Sequence, residues 1–288
     1  MLLKDALNSA IAGLTTARVG SPRMNGEMLL MFALGCDRAY LYAHPERELT
    51  AEEQARYSEA IAQRARGIPA QYITGHQEFW GMDFIVSPAV LIPRPETEHV
   101  IETVLRLVRD GRRASLGPPT RIVDVGTGSG CIALALAKEL SNADVHATDI
   151  SPDALEIARV NSARHQLDRR VQFHQTDLLG GLPRDSFDFV VSNPPYVGES
   201  EEDQVQLEVR KHEPRSAVFA GPTGLEVVER LIPQAQVALK PGGWLVMEIS
   251  GTIAAGVEKL LSGWRDVEFT KDLQGIARVV SGRRPSVQ

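Results

Sequence analysis

Ile122-Val123-Asp124-Val125-Gly126-Thr127-Gly128-Ser129-Gly130, an apolar strand that runs directly into a glycine-rich turn, decides the fold of this chain. From this strand onward, short apolar segments alternate with helical segments. Such alternation is typical of a mostly parallel sheet covered by helices on both faces. The predicted strands cover 121–125, 145–149, 171–175, 187–192 and 244–249, with an antiparallel pair near 267–271 and 276–281. The predicted fold class is therefore α/β, a Rossmann-like domain with a seven-stranded sheet.

The part of the chain before the sheet is predicted to form two smaller pieces. Apolar residues recur at three- and four-residue intervals from Leu3 to Leu14, as one face of a helix requires. Thr50 and Glu53 have the spacing of a capping box at the start of a later helix. We therefore expect residues 1–75 to form an all-α domain, 76–95 a β-hairpin linker and 96–288 the sheet-containing domain.

The composition is that of an ordinary globular protein and argues against several classes. Of 288 residues, 43% are hydrophobic and 24% charged, and no apolar run approaches the ~20 residues of a membrane span. The two cysteines and seven histidines have no metal-like spacing, so we expect no metal site and a cytoplasmic protein. The net charge of −6 argues against tight, nonspecific binding of DNA or RNA. No exposed heptad or strand edge stands out, so a monomer is expected.

The glycine-rich turn predicts a site for a nucleotide-like cofactor. Glycines let the backbone turn tightly and approach a ligand, and the helix that follows offers unpaired N–H groups. The dinucleotide pattern G-x-G-x-x-G fails here because its third glycine position holds Cys131. S-adenosylmethionine (SAM) is therefore favoured over NAD. Asp149, at the end of the next strand, is expected to bond ribose hydroxyls, while Asp177 bonds the adenine amino group and Leu178 packs against its ring.

Each of these features has a plainer interpretation. The glycines could form only a strand-to-helix turn, and Asp149 could serve only to cap the helix that begins near Pro152. Three alternate glycines after an apolar strand favour the cofactor site, and the acidic residue at the next strand end adds to that preference.

The second motif, Asn193-Pro194-Pro195-Tyr196, follows the apolar strand at 187–192. Amide and aromatic amine nitrogens are poor nucleophiles because their lone pairs are delocalised. The Asn193 side-chain oxygen and the Pro194 carbonyl could accept both N–H bonds and aim the lone pair at a methyl donor. Two prolines stiffen the turn, and Tyr196 offers a flat face for stacking. A rigid surface turn is the alternative; we assign no general base and predict methyl transfer to an sp² nitrogen.

The chain also resembles a known family, the release-factor glutamine methyltransferases (PrmC/HemK). The resemblance covers nearly the whole chain and is carried by four motifs. They are Leu91-Ile92-Pro93-Arg94-Pro95-Glu96-Thr97-Glu98, Asp124 to Gly130, Thr148-Asp149-Ile150-Ser151 and Asn193 to Tyr196. Adenine-N6 DNA methyltransferases share Asn-Pro-Pro-Tyr, so the motif around Arg94 is the more specific mark.

The resemblance implies the reaction and its residues. It implies methylation of the side-chain amide N5 of the glutamine in the Gly-Gly-Gln motif of peptide chain release factors. The cofactor-binding residues would be Asp124, Gly126, Thr127, Gly128, Ser129, Gly130, Asp149, Ile150, Asp177, Leu178 and Asn193. The catalytic residues would be Asn193, Pro194 and Tyr196, and the substrate would also meet Pro195, Arg94 and Glu96.

Three alternatives stay open at this point. Arg94, Glu96 and Glu98 could equally form an inter-domain salt-bridge set. The chain could be an adenine-N6 or guanine-N2 methyltransferase acting on nucleic acid, which its acidity and its lack of a basic face disfavour. It could also be a non-catalytic SAM-binding protein that docks to translation factors, which the intact Asn193–Tyr196 motif disfavours.

Overall fold

A computed structural model of the chain describes residues 1–112 and 119–285. The helices are α1 Leu3–Thr16, α2 Pro22–Leu34, α3 Arg38–Ala43, α4 Ala51–Ala65, α5 Ala70–Thr74, α6 Glu98–Arg109, α7 Cys131–Glu139, α8 Pro152–Arg164, α9 Leu207–His212, α10 Arg215–Val218, α11 Glu226–Ala238 and α12 Ala254–Leu260. The strands are β1 His76–Phe79, β2 Met82–Ile85, β3 Thr120–Val125, β4 Ala143–Asp149, β5 Val171–Gln175, β6 Phe187–Ser192, β7 Val197–Gly198, β8 Phe219–Gly221, β9 Leu239–Glu248, β10 Arg265–Lys271 and β11 Ala277–Arg283. Short 3₁₀ helices lie at Pro95–Thr97 and Glu199–Gln204.

The chain divides into two compact units. The first consists of Met1–His76 and Gln206–His212, and the second of Gln77–Val205 and Glu213–Gln288. The short segment in the first unit, which carries α9, comes from far along the chain. Within that unit Glu208 forms an ion pair of 2.6 Å with Arg64, a contact that joins α9 to α4.

The first unit is helical, as the sequence predicts. The buried positions of α1 are Leu3, Ala6, Ala10 and Leu14, which share one helix face. Helix α4 begins with the predicted capping box. Glu53 N donates to Thr50 Oγ1 at 3.2 Å, and Thr50 N donates to Glu53 Oε2 at 2.9 Å.

The second unit is built on a seven-stranded sheet with the strand order β10-β11-β9-β6-β3-β4-β5. Strands β5, β4, β3, β6 and β9 are parallel, and β11 and β10 add the antiparallel edge. The predicted α/β fold with a mostly parallel seven-stranded sheet is thus confirmed. The centre of the sheet is apolar on both faces: Ile122 of β3 faces one core, which contains residues of α6 and α7, while Val123 and Val125 face the other, with residues of α11 and α12.

The predicted hairpin forms from β1 and β2, and a single buried side chain ties it to the glycine-rich turn. Asn161 of α8 accepts from Ile85 N at 2.7 Å and donates through Nδ2 to Ile85 O and to Ser129 O, both at 2.9 Å. One amide therefore fixes strand β2 against the turn that follows β3.

The helices in the described residues include none that is long and apolar enough to cross a membrane. Within residues 1–112 and 119–285, no group of three or more His, Cys, Asp or Glu side chains could hold a metal ion. Both cysteines are free; Cys131 is buried, while Cys36 is only half-buried.

Candidate active site

The turn after β3 has a backbone with positive φ, a conformation that glycine adopts most easily. Gly126, Gly128 and Gly130 have φ of 71°, 55° and 85°. A Cβ added to Gly126 or Gly128 would meet nothing within 4 Å, so the space beside these two residues is open. A Cβ at Gly130 would instead lie 3.3 Å from the Cβ of Ala158, since α8 packs closely there. The turn is thus open beside Gly126 and Gly128 and closely packed against α8 at Gly130.

Asp124 lies at the base of this turn and is completely buried. Its Oδ2 accepts hydrogen bonds from Thr127 Oγ1 at 2.6 Å and from Ala133 N at 3.2 Å. Its Oδ1 has no hydrogen-bond partner among the described residues. Burial raises the pKa of this carboxyl to about 7, although the two hydrogen bonds oppose the rise.

Asp149 ends β4 beside the same turn, as predicted. Its Oδ2 accepts from Gly128 N and its Oδ1 from Ser151 N, both at 2.9 Å. Because each carboxylate oxygen has two lone pairs, these bonds orient the group and leave capacity for further donors. Asp149 is therefore more than a helix cap, and the cap of α8 is in fact Ser151, whose Oγ accepts from Ala154 N. The next residue, Ile150, is an apolar side chain that is 63% exposed.

Asp177 and Leu178 follow β5, which pairs with β4 up to Asp149 and Gln175. Just beyond this pair, Thr176 N donates to Asp149 O at 3.0 Å. Asp177 is exposed and forms an ion pair with Arg230 of α11. Leu178 has a φ of 52°, unusual for a residue other than glycine, and is half-buried. The sequence did not predict the Arg230 partner.

The motif Asn193–Tyr196 begins where β6 ends, on the strand next to β3. Ser192 pairs with Val125 in the sheet and donates through Oγ to its carbonyl oxygen at 2.7 Å. The carboxyl ends of the two strands therefore meet, and the glycine turn and Asn193 leave the sheet side by side. Asn193 is half-buried and Pro194 is buried. Ligands of open α/β sheets bind at such strand ends.

A buried carboxylate stands behind this motif. Glu248, the last residue of β9, is only 2% exposed. Its Oε2 accepts from Thr97 Oγ1 at 2.6 Å and its Oε1 from the Tyr196 hydroxyl at 3.1 Å. Thr97 in turn accepts from Asn193 Nδ2 at 3.1 Å. Burial raises the pKa of Glu248 to about 7, and the nearby Glu96 carboxylate adds to the rise.

The charged residues of the Arg94 motif lie near the site, but they contact different partners and do not form one salt-bridge network. Arg94 pairs with the buried Glu213, which also accepts from Ile92 N at 3.2 Å. Glu98 accepts from Trp80 N at 2.8 Å and so fixes the tip of the hairpin. Glu96 is exposed. The ion pair of Arg94 and the hydrogen bond of Glu98 both lie within the second unit.

Sequence reasoning missed the two residues that connect these motifs. Thr97 stands between Glu96 and Glu98, to which the sequence drew attention by charge, and Glu248 ends an otherwise apolar strand. An acidic residue that closes a buried strand is an informative signal, because burying a carboxylate is costly unless it is used. Thr97 gave no such signal, since its partners lie about a hundred residues or more away along the chain.

Solved structures share the fold of this chain at low sequence identity. The N-terminal domain of human METTL16 in complex with SAH superposes with a TM-score of 0.51 and 18% identity, covering 88% of this chain and 93% of that one. A methyltransferase from Pyrococcus furiosus superposes with a TM-score of 0.50 and 20% identity, covering 82% and 100%. The hMettl16 catalytic domain in complex with the MAT2A 3′UTR hairpin 6 reaches 0.58 at 19%, covering 88% and 93%.

Two family models each match a part of the chain, and relatives match nearly its whole length. The PrmC N-terminal domain matches residues 5–75, and the methyltransferase small domain matches residues 114–212. The release factor glutamine methyltransferase of Koribacter versatilis is 55% identical over 99% of this chain and 100% of its own length. Its namesake in Nitratidesulfovibrio vulgaris is 40% identical over 99% and 96%. As the motifs around Arg94, Gly126 and Asn193 predicted, the chain belongs to the release factor glutamine methyltransferase family, and it is a methyltransferase.

Proposed function

We propose that this enzyme transfers a methyl group from SAM to the side-chain amide nitrogen, N5, of the glutamine in the Gly-Gly-Gln motif of peptide chain release factors. The observation that carries the proposal is the orientation of Asn193. Its Nδ2 donates to Thr97, so its Oδ1 is the atom left to accept from a substrate. A hydrogen-bond acceptor at the end of β6, next to the glycine turn, suits the N–H groups of a substrate amide.

The residues around the glycine turn fit SAM. The open space at Gly126 and Gly128 and the N–H groups at the start of α7 suit the methionine carboxylate. The oriented Asp149 carboxylate suits the two ribose hydroxyls, and the exposed Ile150 and half-buried Leu178 suit the faces of the adenine ring. Asp177 keeps lone pairs for the adenine amino group beside its ion pair with Arg230. Bound SAM supplies an electrophilic methyl group on a sulfonium.

The protein's part in the reaction is to hold and polarise the amide. Asn193 Oδ1 and the Pro194 carbonyl accept the two N–H groups of the substrate glutamine, which raises the electron density on nitrogen and aims its lone pair. Pro194 and Pro195 keep these acceptors rigid, and Tyr196, held by Glu248, stacks on the planar amide. The proton that the product nitrogen must lose departs after transfer, so no side chain is assigned as a base.

The substrate class is inferred from the relatives. Two relatives that are 55% and 40% identical over 99% of this chain are called release factor glutamine methyltransferases. This chain has the motifs that the proposed reaction uses. Arg94 and Glu96 are proposed to meet the release factor, with Arg94 oriented by Glu213. We further infer that the enzyme works in the cytoplasm, where termination occurs, and as a monomer.

Mass spectrometry tests the reaction directly. A purified release factor incubated with the enzyme and SAM is expected to gain one methyl group, which fragmentation maps to the Gly-Gly-Gln glutamine. If the factor gains nothing while SAM binding is demonstrated, the proposal is wrong, and oligonucleotides become the next substrates to test.

Asn193→Ala tests the assigned acceptor. We expect turnover to fall by at least about 100-fold, as for loss of a group that stabilises a transition state, with SAM affinity largely retained. Asn142→Ala, the same change on the exposed turn before β4, is the matched control and should leave turnover unchanged. Wild-type turnover in Asn193→Ala would remove the role we assign to this residue.

A further inference from the structure

Three hydrogen bonds form a chain behind the proposed substrate-amide site. Asn193 Nδ2 donates to Thr97 Oγ1 at 3.1 Å, and Thr97 Oγ1 donates to Glu248 Oε2 at 2.6 Å. The Tyr196 hydroxyl donates to the other oxygen, Glu248 Oε1, at 3.1 Å. All four residues belong to the second unit. Thr97 and Glu248 are each 2% exposed, so bulk water does not compete for these bonds.

The direction of these hydrogen bonds follows from the charge of Glu248 at alkaline pH. Above the pKa of about 7 that burial gives Glu248, its carboxylate is ionised and can only accept hydrogen bonds, so both hydroxyls must then donate to it. The single proton of Thr97 is then used, and the threonine can only accept from Asn193. An amide meets such an acceptor with its NH₂ side. The carbonyl oxygen of Asn193 consequently faces away from Thr97.

The orientation of the Asn193 amide matters because its oxygen and its NH₂ group have nearly the same shape but opposite hydrogen-bonding roles. With Oδ1 toward the substrate, Asn193 accepts an N–H and increases the electron density on the substrate nitrogen. With Nδ2 toward the substrate, it would offer a donor to a group that needs an acceptor. Nothing in the size of the side chain prevents this reversal.

We propose that Thr97 is a positioning residue that, anchored by Glu248, holds the Asn193 amide with Oδ1 toward the substrate. The inference rests on the proposed function, because it concerns the same acceptor. It assigns Thr97 no contact with substrate or cofactor. In this proposal the 3₁₀ helix Pro95–Thr97 places a hydroxyl between Asn193, which follows β6, and Glu248, which ends β9.

Two substitutions at position 97 separate the hydroxyl from the shape of the side chain. Thr97→Val keeps the volume and removes the oxygen, whereas Thr97→Ser keeps the oxygen and removes a methyl. At pH 8, above the pKa of about 7 that burial gives Glu248, we expect Thr97→Val to lower kcat about 10- to 100-fold, because the acceptor is misdirected. The KM for release factor and the Kd for SAM should change less than about threefold, since neither binding surface is altered. Thr97→Ser should keep kcat within about threefold of wild type.

An NMR readout does not depend on turnover. The side-chain NH₂ pair of Asn193, assigned by its loss in Asn193→Ala, should be protected from solvent exchange in wild type and Thr97→Ser. That protection should disappear in Thr97→Val. Melting temperatures of the variants check that each is folded.

The outcomes separate the two proposals. Wild-type kcat in Thr97→Val, or an equal loss in Thr97→Ser and Thr97→Val, would overturn the positioning role. If the wild-type enzyme methylates no release factor, the proposed function fails, and the NMR comparison alone decides on Thr97. Loss of Asn193 protection in Thr97→Val but not in Thr97→Ser would then support the inference, and equal protection in the two would overturn it.

Discussion

At the scale of single residues, the site is marked by two carboxyl groups that the fold buries almost completely. Asp124 lies one residue before the end of the central strand β3, at the base of the glycine turn, and Glu248 is the last residue of β9, next to the Asn193 motif. Burying a carboxylate costs free energy even when hydrogen bonds compensate in part. Local departures of this kind from an apolar core are expected where a protein gives up stability for function.

The cost at Glu248 predicts a specific dependence of stability on pH. Burial raises its pKa from 4.5 to about 7 in the folded protein. Its contribution to stability is therefore fully present below pH 4.5 and is lost as the pH rises through about 7. Glu248→Gln removes this titration. Relative to the variant, the wild type should lose about 3 kcal/mol of unfolding free energy between pH 4.5 and pH 8.

Urea unfolding at the two pH values measures this difference. Tryptophan fluorescence is a suitable signal, because Trp80, Trp244 and Trp264 all lie in the second unit. Glu258→Gln, the same change at an exposed position of α12, should follow the wild type at both pH values. A parallel response of Glu248→Gln and wild type would show that the carboxyl is not perturbed as we state.

At the scale of elements, the sequence predicted those helices, strands and turns that have a local sequence pattern. The parallel strands, the hairpin and the capping box of α4 have periodic or positional signals, and all are present. Helices α3 and α5 and strands β7 and β8 are too short for a period to show. The inclusion of α9 in the helical unit depends on contacts such as Arg64–Glu208, between residues far apart in the chain.

The residues of the site also differ in whether a local sequence pattern reveals them. Asp149 and Asn193 could be predicted because Asp149 ends one strand and Asn193 directly follows another, and the apolar pattern shows where both strands end. Thr97 and Glu248 could not be paired, because 151 residues separate them. The order of strands in the sheet, which brings β9 beside β6, places Glu248 near the Asn193 motif, and the 3₁₀ helix Pro95–Thr97 places Thr97 there.

The turn between β3 and α7 predicts a second measurable effect. Gly130 has a φ of 85°, and an added Cβ would lie 3.2 Å from Leu134 Cδ1 and 3.3 Å from Ala158 Cβ. Gly130→Ala should therefore lower the unfolding free energy by about 1–3 kcal/mol, through strain and close contact together. It should also weaken SAM binding, because the displaced backbone is the one proposed to hold the cofactor.

Urea unfolding and calorimetric titration with SAM test both effects. Gly263→Ala is the control: the residue is exposed in the same unit, and a Cβ there meets nothing within 4 Å. It should change stability by no more than about 0.5 kcal/mol. Full stability and full SAM affinity in Gly130→Ala would mean that the close contact with α8 is unimportant.

At the scale of the whole molecule, the fold alone does not choose the substrate. One structural neighbour was solved with a 3′UTR hairpin, although it shares only 19% identity with this chain. A common Rossmann-like fold hosts many acceptors. This chain has a net charge of −6. Because nucleic-acid affinity comes largely from neutralising phosphates with lysine and arginine, this charge disfavours a nucleic-acid substrate.

The charge therefore predicts how the enzyme will discriminate. At about 150 mM salt, we expect no saturable binding to a fluorescent RNA hairpin or DNA duplex at protein concentrations up to about 10 µM, because an acidic protein releases few counterions on binding. Methyl transfer to a release factor under the same conditions should change little between about 50 and 200 mM salt. A phosphate-binding enzyme would lose affinity by orders of magnitude over that range. Submicromolar, strongly salt-dependent binding to the oligonucleotides, with methyl incorporated into them, would instead assign the Asn193 site to a nucleobase amine, since the same two acceptors can hold either kind of N–H pair.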